Sequence, residues 1–160
     1  LRGCSVVIAD LALRPAAQKL VDAYASAQAG KPRAVFCRTD VTEWAQLERM
    51  FSTAVTEFGD VDIVCPGAGI FEPRWGDFWN PPGAEGTRDS IHGDRFMTVD
   101  INIVHPIRTT QLAIQQFLNL GEGREKVGVR NQKRIIIVSS ITGQIHTLLT
   151  PVYVASKHAM

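Results

Sequence analysis

A chain of 160 residues, 45% apolar and 21% charged, has the size and balance of one globular domain, which excludes a fibre or a disordered tail. The formal net charge is +1 and the basic residues are scattered, so nothing draws the chain to nucleic acid or to an anionic membrane, and neither is expected as a partner.

The first apolar run, CSVVIAD, is short and β-branched and ends on Asp10, which predicts a strand buried on both faces. After Pro15, the residues Leu20, Val21, Tyr24 and Ala27 recur at helical spacing until Gly30 and Pro32 stop them. RAVFCRTDV reads as a second strand. Thr42 is the expected cap of the next helix, where Trp44, Leu47, Phe51, Ala54, Val55 and Phe58 share a face before Gly59. VDIVCPGAGI is a third strand running into a glycine loop, followed by the polar, proline-rich FEPRWGDFWNPPGAEGTRDS. A long helix is predicted from about Asp94 to Leu120, with Ile103, Ile107, Ile114 and Phe117 on its inner side and Pro106 bending it or lying near its start. GEGREKVGVRNQK reads as an exposed insertion and RIIIVSS as the fourth strand. Strand and helix alternate throughout, which predicts a single α/β domain over residues 1–160 with a doubly wound parallel sheet.

Cys4, Cys37 and Cys65 each sit in an apolar run; their odd number and spacing argue against a disulfide framework or a metal site and predict buried thiols in a reducing compartment. No stretch approaches the ~20 apolar residues that span a bilayer, and no basic-then-apolar signal opens the chain. The expected address is the cytoplasm, with an organelle as the alternative.

In open parallel sheets, ligands bind beyond the carboxyl ends of the strands. Those ends carry Asp10, Asp40, the Pro66–Gly69 loop, and Ser139 with Ser140. Near the end of the chain, Tyr153 and Lys157 stand four apart, so on a helix their side chains share a face. A phenol is almost fully protonated at neutral pH, and a base role requires a neighbouring cation that favours the phenolate. Lys157 is placed to be that cation. Taken alone, this spacing is common and fits a plain surface helix. Ser140, thirteen residues before Tyr153 and directly after a predicted strand, adds a hydroxyl that can return to the same point.

VSSITG, the thirteen-residue spacing and YVASK together resemble the active site of the short-chain dehydrogenase/reductase family. DIVCPGAGI is similar to the family's D-I-x-V-N-N-A-G element, and Asn102 in VDINIVHP to its helix asparagine, although Ile101 and His105 stand where valine and glycine are usual. The PGAGIFEP stretch and the long loop after it look somewhat like hydroxyprostaglandin-dehydrogenase-like members.

The resemblance implies a Rossmann-like fold and an NAD(P)-dependent oxidoreductase that interconverts a small-molecule secondary alcohol and a ketone. It implies Tyr153 as general acid/base, Lys157 as its cation and a ligand of the nicotinamide ribose, Ser140 as the holder of the substrate oxygen, and Asn102 as the holder of a water linking Lys157 to solvent. Asp10 would accept hydrogen bonds from the adenosine ribose and repel a 2′-phosphate, which favours NAD over NADP, with Arg14 downstream as the counter-argument. Asp40 and Val41 would meet the adenine, and Gly67, Ala68 and Gly69 would let the backbone approach the adenosine side. The plain readings remain a loop cap for Asp10 and a simple turn for the glycines. A homo-oligomer formed through the long helix and the helix bearing Tyr153 is also implied.

Pro66 and Gly67 replace the family's two asparagines, and no T-G-x-x-x-G-x-G phosphate loop is present. The family's strand order places its first strand between the second and the fourth, so the expected sheet lacks its central strand, and its last strands as well. The chain begins on Leu1, inside what reads as a unit of structure, and a piece of a longer enzyme is expected. Two rival readings stand beside the dehydrogenase: an epimerase or dehydratase relative acting on nucleotide sugars, and a catalytically silent cofactor-binding or scaffold fragment.

Overall fold

Strand β1 (Val6–Asp10) runs parallel to β2 (Ala34–Arg38), with Val6 opposite Ala34 and Asp10 opposite Arg38. Their branched and aromatic residues suit a pleated, packed surface. The structure is a computed structural model that describes residues 3–26, 31–118 and 127–160. Between the two strands, α1 (Pro15–Ala23) begins on a proline whose missing N–H needs no partner there. It buries none of its residues, and Leu20 is exposed. Ala27 and Gly30 of the predicted helix lie outside the described residues.

Helix α2 (Trp44–Phe58) follows β2 and turns Leu47 and Phe51 inward, as its spacing predicts, whereas Trp44 of the same predicted face is exposed. Thr42 does not cap it. Glu43 is the N-cap and makes no side-chain cap bond. The Thr42 N–H and hydroxyl both donate to Asp40 Oδ1, at 3.0 and 2.7 Å, so the threonine is captured by an Asx turn one step earlier. Gly59 ends the helix at φ 82°, a conformation that favours glycine.

Strand β3 (Ile63–Val64) pairs in parallel with β4 (Arg134–Ile135), Ile63 opposite Arg134. Both are far shorter than their apolar runs. Pro66 has no N–H to continue the ladder, and the bond from Ile136 N to Val64 O, 2.9 Å, is the last of it. Ile136, Ile137 and Val138 are exposed rather than buried. The sheet is therefore small and in two parallel pairs, β1 with β2 and β3 with β4. Among the described residues no strand joins them, as expected for a sheet without its central strand. Lys133 locks the entry to the second pair, donating to Asp60 Oδ2 and Asp62 Oδ1 at 2.8 Å each. Burial alone would lower the pKa of this lysine, but the two carboxylates outweigh it and raise it.

The predicted long helix is three segments in series: α3 (Met97–Val99), a π turn (Asp100–Val104), and α4 (His105–Leu118). Pro106 gives the reason for the π turn. It offers no N–H to the carbonyl of Asn102, so the α-helical pairing fails at that point and the wider turn occupies it. The inner face of α4 is His105, Thr109, Ala113 and Phe117, while Ile107 and Ile114 are exposed, contrary to the predicted side. Phe51, Val64, Ala113 and Phe117 form the core, with Met50, Val61, Leu112 and Ile135 packed around it.

Burial pushes the His105 imidazole below its ordinary pKa of 6.5, and its Nδ1, 3.1 Å from the Ile101 carbonyl, offsets this only in part. As pH falls through 6.5 the unfolded chain therefore takes up this proton before the folded one does, and folding stability declines. Burial raises the Asp100 carboxyl above 3.8, which acts in the opposite sense lower down the pH scale. Denaturant melts of His105→Gln are expected to show a flatter stability profile just below 6.5 than the parent; an unchanged slope would locate the acid sensitivity elsewhere.

Cys37 is buried, but Cys4 and Cys65 are exposed, which corrects the expectation of three buried thiols; all three are free. No helix among the described residues is long and apolar enough to cross a membrane.

Candidate active site

Helix α5 (Pro151–His158) carries both Tyr153 and Lys157. The Lys157 ammonium lies 5.6 Å from the centre of the Tyr153 ring, so the four-residue spacing does bring the two groups to one face. Lys157 Nζ donates to the Val138 carbonyl at 2.9 Å, which fixes the cation against the segment leaving β4. From the other direction, the Ser139 hydroxyl donates to the Lys157 carbonyl at 3.0 Å.

Ser140 follows that segment and caps a 3-10 turn (Ile141–Gly143), its Oγ accepting from Thr142 N at 3.3 Å. The turn packs on α5. Contact is close enough that a Cβ on Gly143 would lie 2.5 Å from the Lys157 carbonyl oxygen. A residue with no side chain is what allows the Ser140 turn and the Lys157 end of α5 to meet.

Asn102 sits in the π turn and is almost completely buried. Its Oδ1 accepts from Ile70 N at 2.9 Å, and its Nδ2 donates to the Ile70 carbonyl at 2.9 Å and to Ser156 Oγ at 3.1 Å. The Ser156 hydroxyl in turn donates to the Tyr153 carbonyl at 2.6 Å. Both amide hydrogens of Asn102 are thus spent on clamping the third strand's loop to α5. Gly69 completes this corner: a Cβ there would stand 3.4 Å from Asn102 Oδ1 and 4.0 Å from Lys157 Nζ.

The remaining candidates lie at the carboxyl ends of the strands. Asp10 is exposed at the end of β1, with one carboxylate oxygen accepting from Leu11 N at 2.7 Å, which is the loop-cap role foreseen as its plain reading. Its carbonyl accepts from Thr39 N at 2.8 Å, which brings Asp40 and Val41 to the same edge. Asp40 is half-buried, with its N–H donating to Gln46 Oε1 at 2.9 Å and Oδ1 taken by Thr42. Gly67 and Ala68 are exposed in a tight turn closed by Gly67 N to Cys65 O at 2.8 Å. For a dinucleotide the donor set fits in chemistry: a free carboxylate oxygen at Asp10 for a ribose, open glycine backbone at 67–69, and the Lys157 ammonium beside Gly69. The chain's own sequence supplies no glycine-rich loop for a pyrophosphate.

Sequence reasoning passed over Phe71 and Glu72 by assigning 71–90 to a polar, proline-rich loop. Phe71 does stand exposed, yet its ring meets that of Tyr153 edge-on at 4.6 Å. Glu72 is buried, and its Oε2 accepts from Tyr153 N at 2.7 Å. The signal was a carboxylate directly after the apolar GAGIF, where no solvent-facing run begins. A cavity of about 450 Å³ is lined by His146, Leu148, Pro151, Val154, Ala155 and His158, on a different side of α5 from Tyr153 and Lys157.

The family model for short chain dehydrogenase matches residues 2–160. An NAD-dependent oxidoreductase of Mycobacterium tuberculosis is 26% identical over 159 residues, covering 98% of this chain and 50% of its own length. Human 15-hydroxyprostaglandin dehydrogenase (NAD+) is 29% identical over 163 residues, covering the whole chain and 50% of its own. A short-chain dehydrogenase crystal structure from Streptomyces avermitilis superposes with a TM-score of 0.67 at 23% identity, over 99% of this chain and 48% of that one, and so shares the fold. The chain covers at most half of the length of the curated relatives it matches. With the family model matching almost end to end, the chain belongs to the short-chain dehydrogenase family.

Proposed function

We propose that the full-length protein is an NAD-dependent oxidoreductase that interconverts a secondary alcohol and a ketone, with Tyr153 as general acid/base. The observation that carries this reading is the Lys157 ammonium held 5.6 Å over the Tyr153 ring by its bond to Val138 O, in a member of a dehydrogenase family. The two groups thus share one face of α5, which is the arrangement the acid/base reading needs. In the oxidative direction the phenolate takes the proton of the alcohol as hydride leaves the carbon; in reduction the phenol returns it to the carbonyl oxygen. The bound nicotinamide supplies the hydride chemistry. Ser140 orients the substrate oxygen, and Lys157 also bonds the nicotinamide ribose. Asn102 holds the water between Lys157 and solvent in this reading.

Asp10, with its free carboxylate oxygen at the end of β1, supports NAD over NADP, as do the names of two relatives. Asp40, Val41, Gly67, Ala68 and Gly69 line the adenosine side in this reading. The test is to follow nicotinamide absorbance with NAD and NADP in parallel over a panel of secondary alcohols that includes long-chain hydroxy fatty acids, since one relative is a hydroxyprostaglandin dehydrogenase. Turnover with NADP alone would overturn the role of Asp10, and turnover of nucleotide sugars without net nicotinamide change would overturn the reaction class. The exposed Ile107 and Ile114 on α4 support a homo-oligomer through that helix; sedimentation showing a monomer at all micromolar concentrations would remove this part.

A further inference from the structure

Helix α5 does not cap itself. Thr150 is its N-cap residue, but no side-chain cap bond is made, and Pro151 at the first helical position has no N–H. The N–H of Tyr153 is among the donors that a helix start leaves without an internal partner. It is taken by Glu72, 81 residues earlier, at 2.7 Å. The other carboxylate oxygen, Oε1, accepts from Phe78 N at 3.2 Å, so each oxygen of Glu72 holds a main-chain amide. The side chain is 5% exposed and has no ion-pair partner among the described residues. Amide donors and the positive end of α5 are what compensate its burial.

Three consecutive residues bridge two members of the proposed site. Ile70 is bonded through both its N–H and its carbonyl to the Asn102 side chain. Phe71 packs its ring on that of Tyr153 with an interplanar angle of 76°. Glu72 then takes the Tyr153 amide. Its backbone is at φ 33°, a region a side-chain-bearing residue holds only when its surroundings fix it. The loop beyond is tied at both ends of the same span: Thr98 Oγ1 donates to the Gly76 carbonyl at 2.7 Å, and Trp79 Nε1 to the Leu148 carbonyl at 2.9 Å, just before α5 begins.

We infer that Glu72 is a positioning residue for Tyr153: its buried carboxylate caps α5 from across the chain and, with Phe71, sets the Tyr153 ring beside Lys157. The inference rests on the acid/base role proposed for Tyr153. Removing the carboxylate frees the Tyr153 amide and lets the first turn of α5 move, and a displacement on the order of 1 Å at a reacting group costs up to about 100-fold.

The experiment compares Glu72→Ala and Glu72→Gln in full-length protein, at a temperature well below either melting point. Glu72→Ala is expected to lower kcat by about 10- to 100-fold with KM changed less than about threefold, and Glu72→Gln, which keeps one acceptor oxygen, to recover most of the loss. The Tyr153 signals are assigned by their loss in Tyr153→Phe. With selectively labelled tyrosine, Glu72→Ala is expected to move the Tyr153 ring resonances and to speed exchange of its amide by at least tenfold. A cap that serves stability alone would also free this amide but would leave the ring resonances unmoved in the folded molecule. Unchanged ring resonances in Glu72→Ala overturn the inference, as does full turnover despite their shift. If wild type turns over none of the alcohols, or Tyr153→Phe stays active, the proposed function fails instead, while the resonances still decide whether Glu72 positions the ring.

Discussion

Replacing Tyr153 by phenylalanine is expected to lower kcat by about 10²- to 10⁴-fold, the usual weight of a positioned acid/base, without unfolding the site. The change deletes one hydroxyl and nothing that holds α5. The amide of Tyr153 stays on Glu72, its carbonyl still accepts from Ser156, and the ring keeps its edge-on contact with Phe71. Melting temperature and KM for the cofactor are therefore expected to stay near those of the parent. Lys157→Met differs in kind, because the ammonium both faces the ring and, by resemblance, holds the nicotinamide ribose. It also loses the bond to Val138 O. It is expected to lower kcat and raise the cofactor KM together, and steady-state kinetics with cofactor varied separates the two variants. Normal turnover by Tyr153→Phe would remove the phenol from the reaction altogether.

How much of this was legible in the sequence depends on whether a signal is local. Strands β1 and β2 and helix α2 follow from runs and spacings that a single segment carries, and the Tyr153–Lys157 pair is a matter of four residues on one helix. The inner face of α4 was misjudged for a physical reason. Two apolar rows lie on that helix, and periodicity cannot tell which is covered by α2 and β3 and which is left open. The row with Ala113 and Phe117 packs on Phe51 and Val64, while Ile107 and Ile114 remain outside. The short ladders of β3 and β4 have a similar cause, since a β-branched run declares that it suits a sheet but not that a neighbour is present.

Long-range capping is beyond local reading for another reason. Thr42 looked like a helix cap and is instead held by Asp40 Oδ1. Thr150, which does occupy the cap position of α5, leaves the work to Glu72. The choice between a near acceptor and a distant one is made by packing, and the polar loop that delivers Glu72 has no periodicity to betray it. Asn102 was found by motif, but its engagement with Ile70 on one side and Ser156 on the other came from the fold alone.

Gly143→Ala is expected to damage the site as much as any substitution outside its reacting groups. A methyl at that position would meet the Lys157 carbonyl oxygen at 2.5 Å, its carbon at 3.1 Å and Ser139 Oγ at 3.1 Å. Two of these three atoms are main chain, so no rotamer change relieves the overlap. Either the Ile141–Gly143 turn lifts off α5 or the end of α5 moves away, and both break the bond from Ser139 Oγ to Lys157 O. Overpacking of this kind costs about 1–3 kcal/mol, to be read as a fall in melting temperature. The same movement displaces Ser140, which caps that turn, relative to Tyr153, and a shift near 1 Å would lower kcat by up to about 100-fold. Because Gly143 has no side chain to touch substrate or cofactor, the kinetic loss tests position alone. A Gly143→Ala protein that keeps both the parent's melting temperature and its kcat would mean that the turn and α5 are not in contact as described.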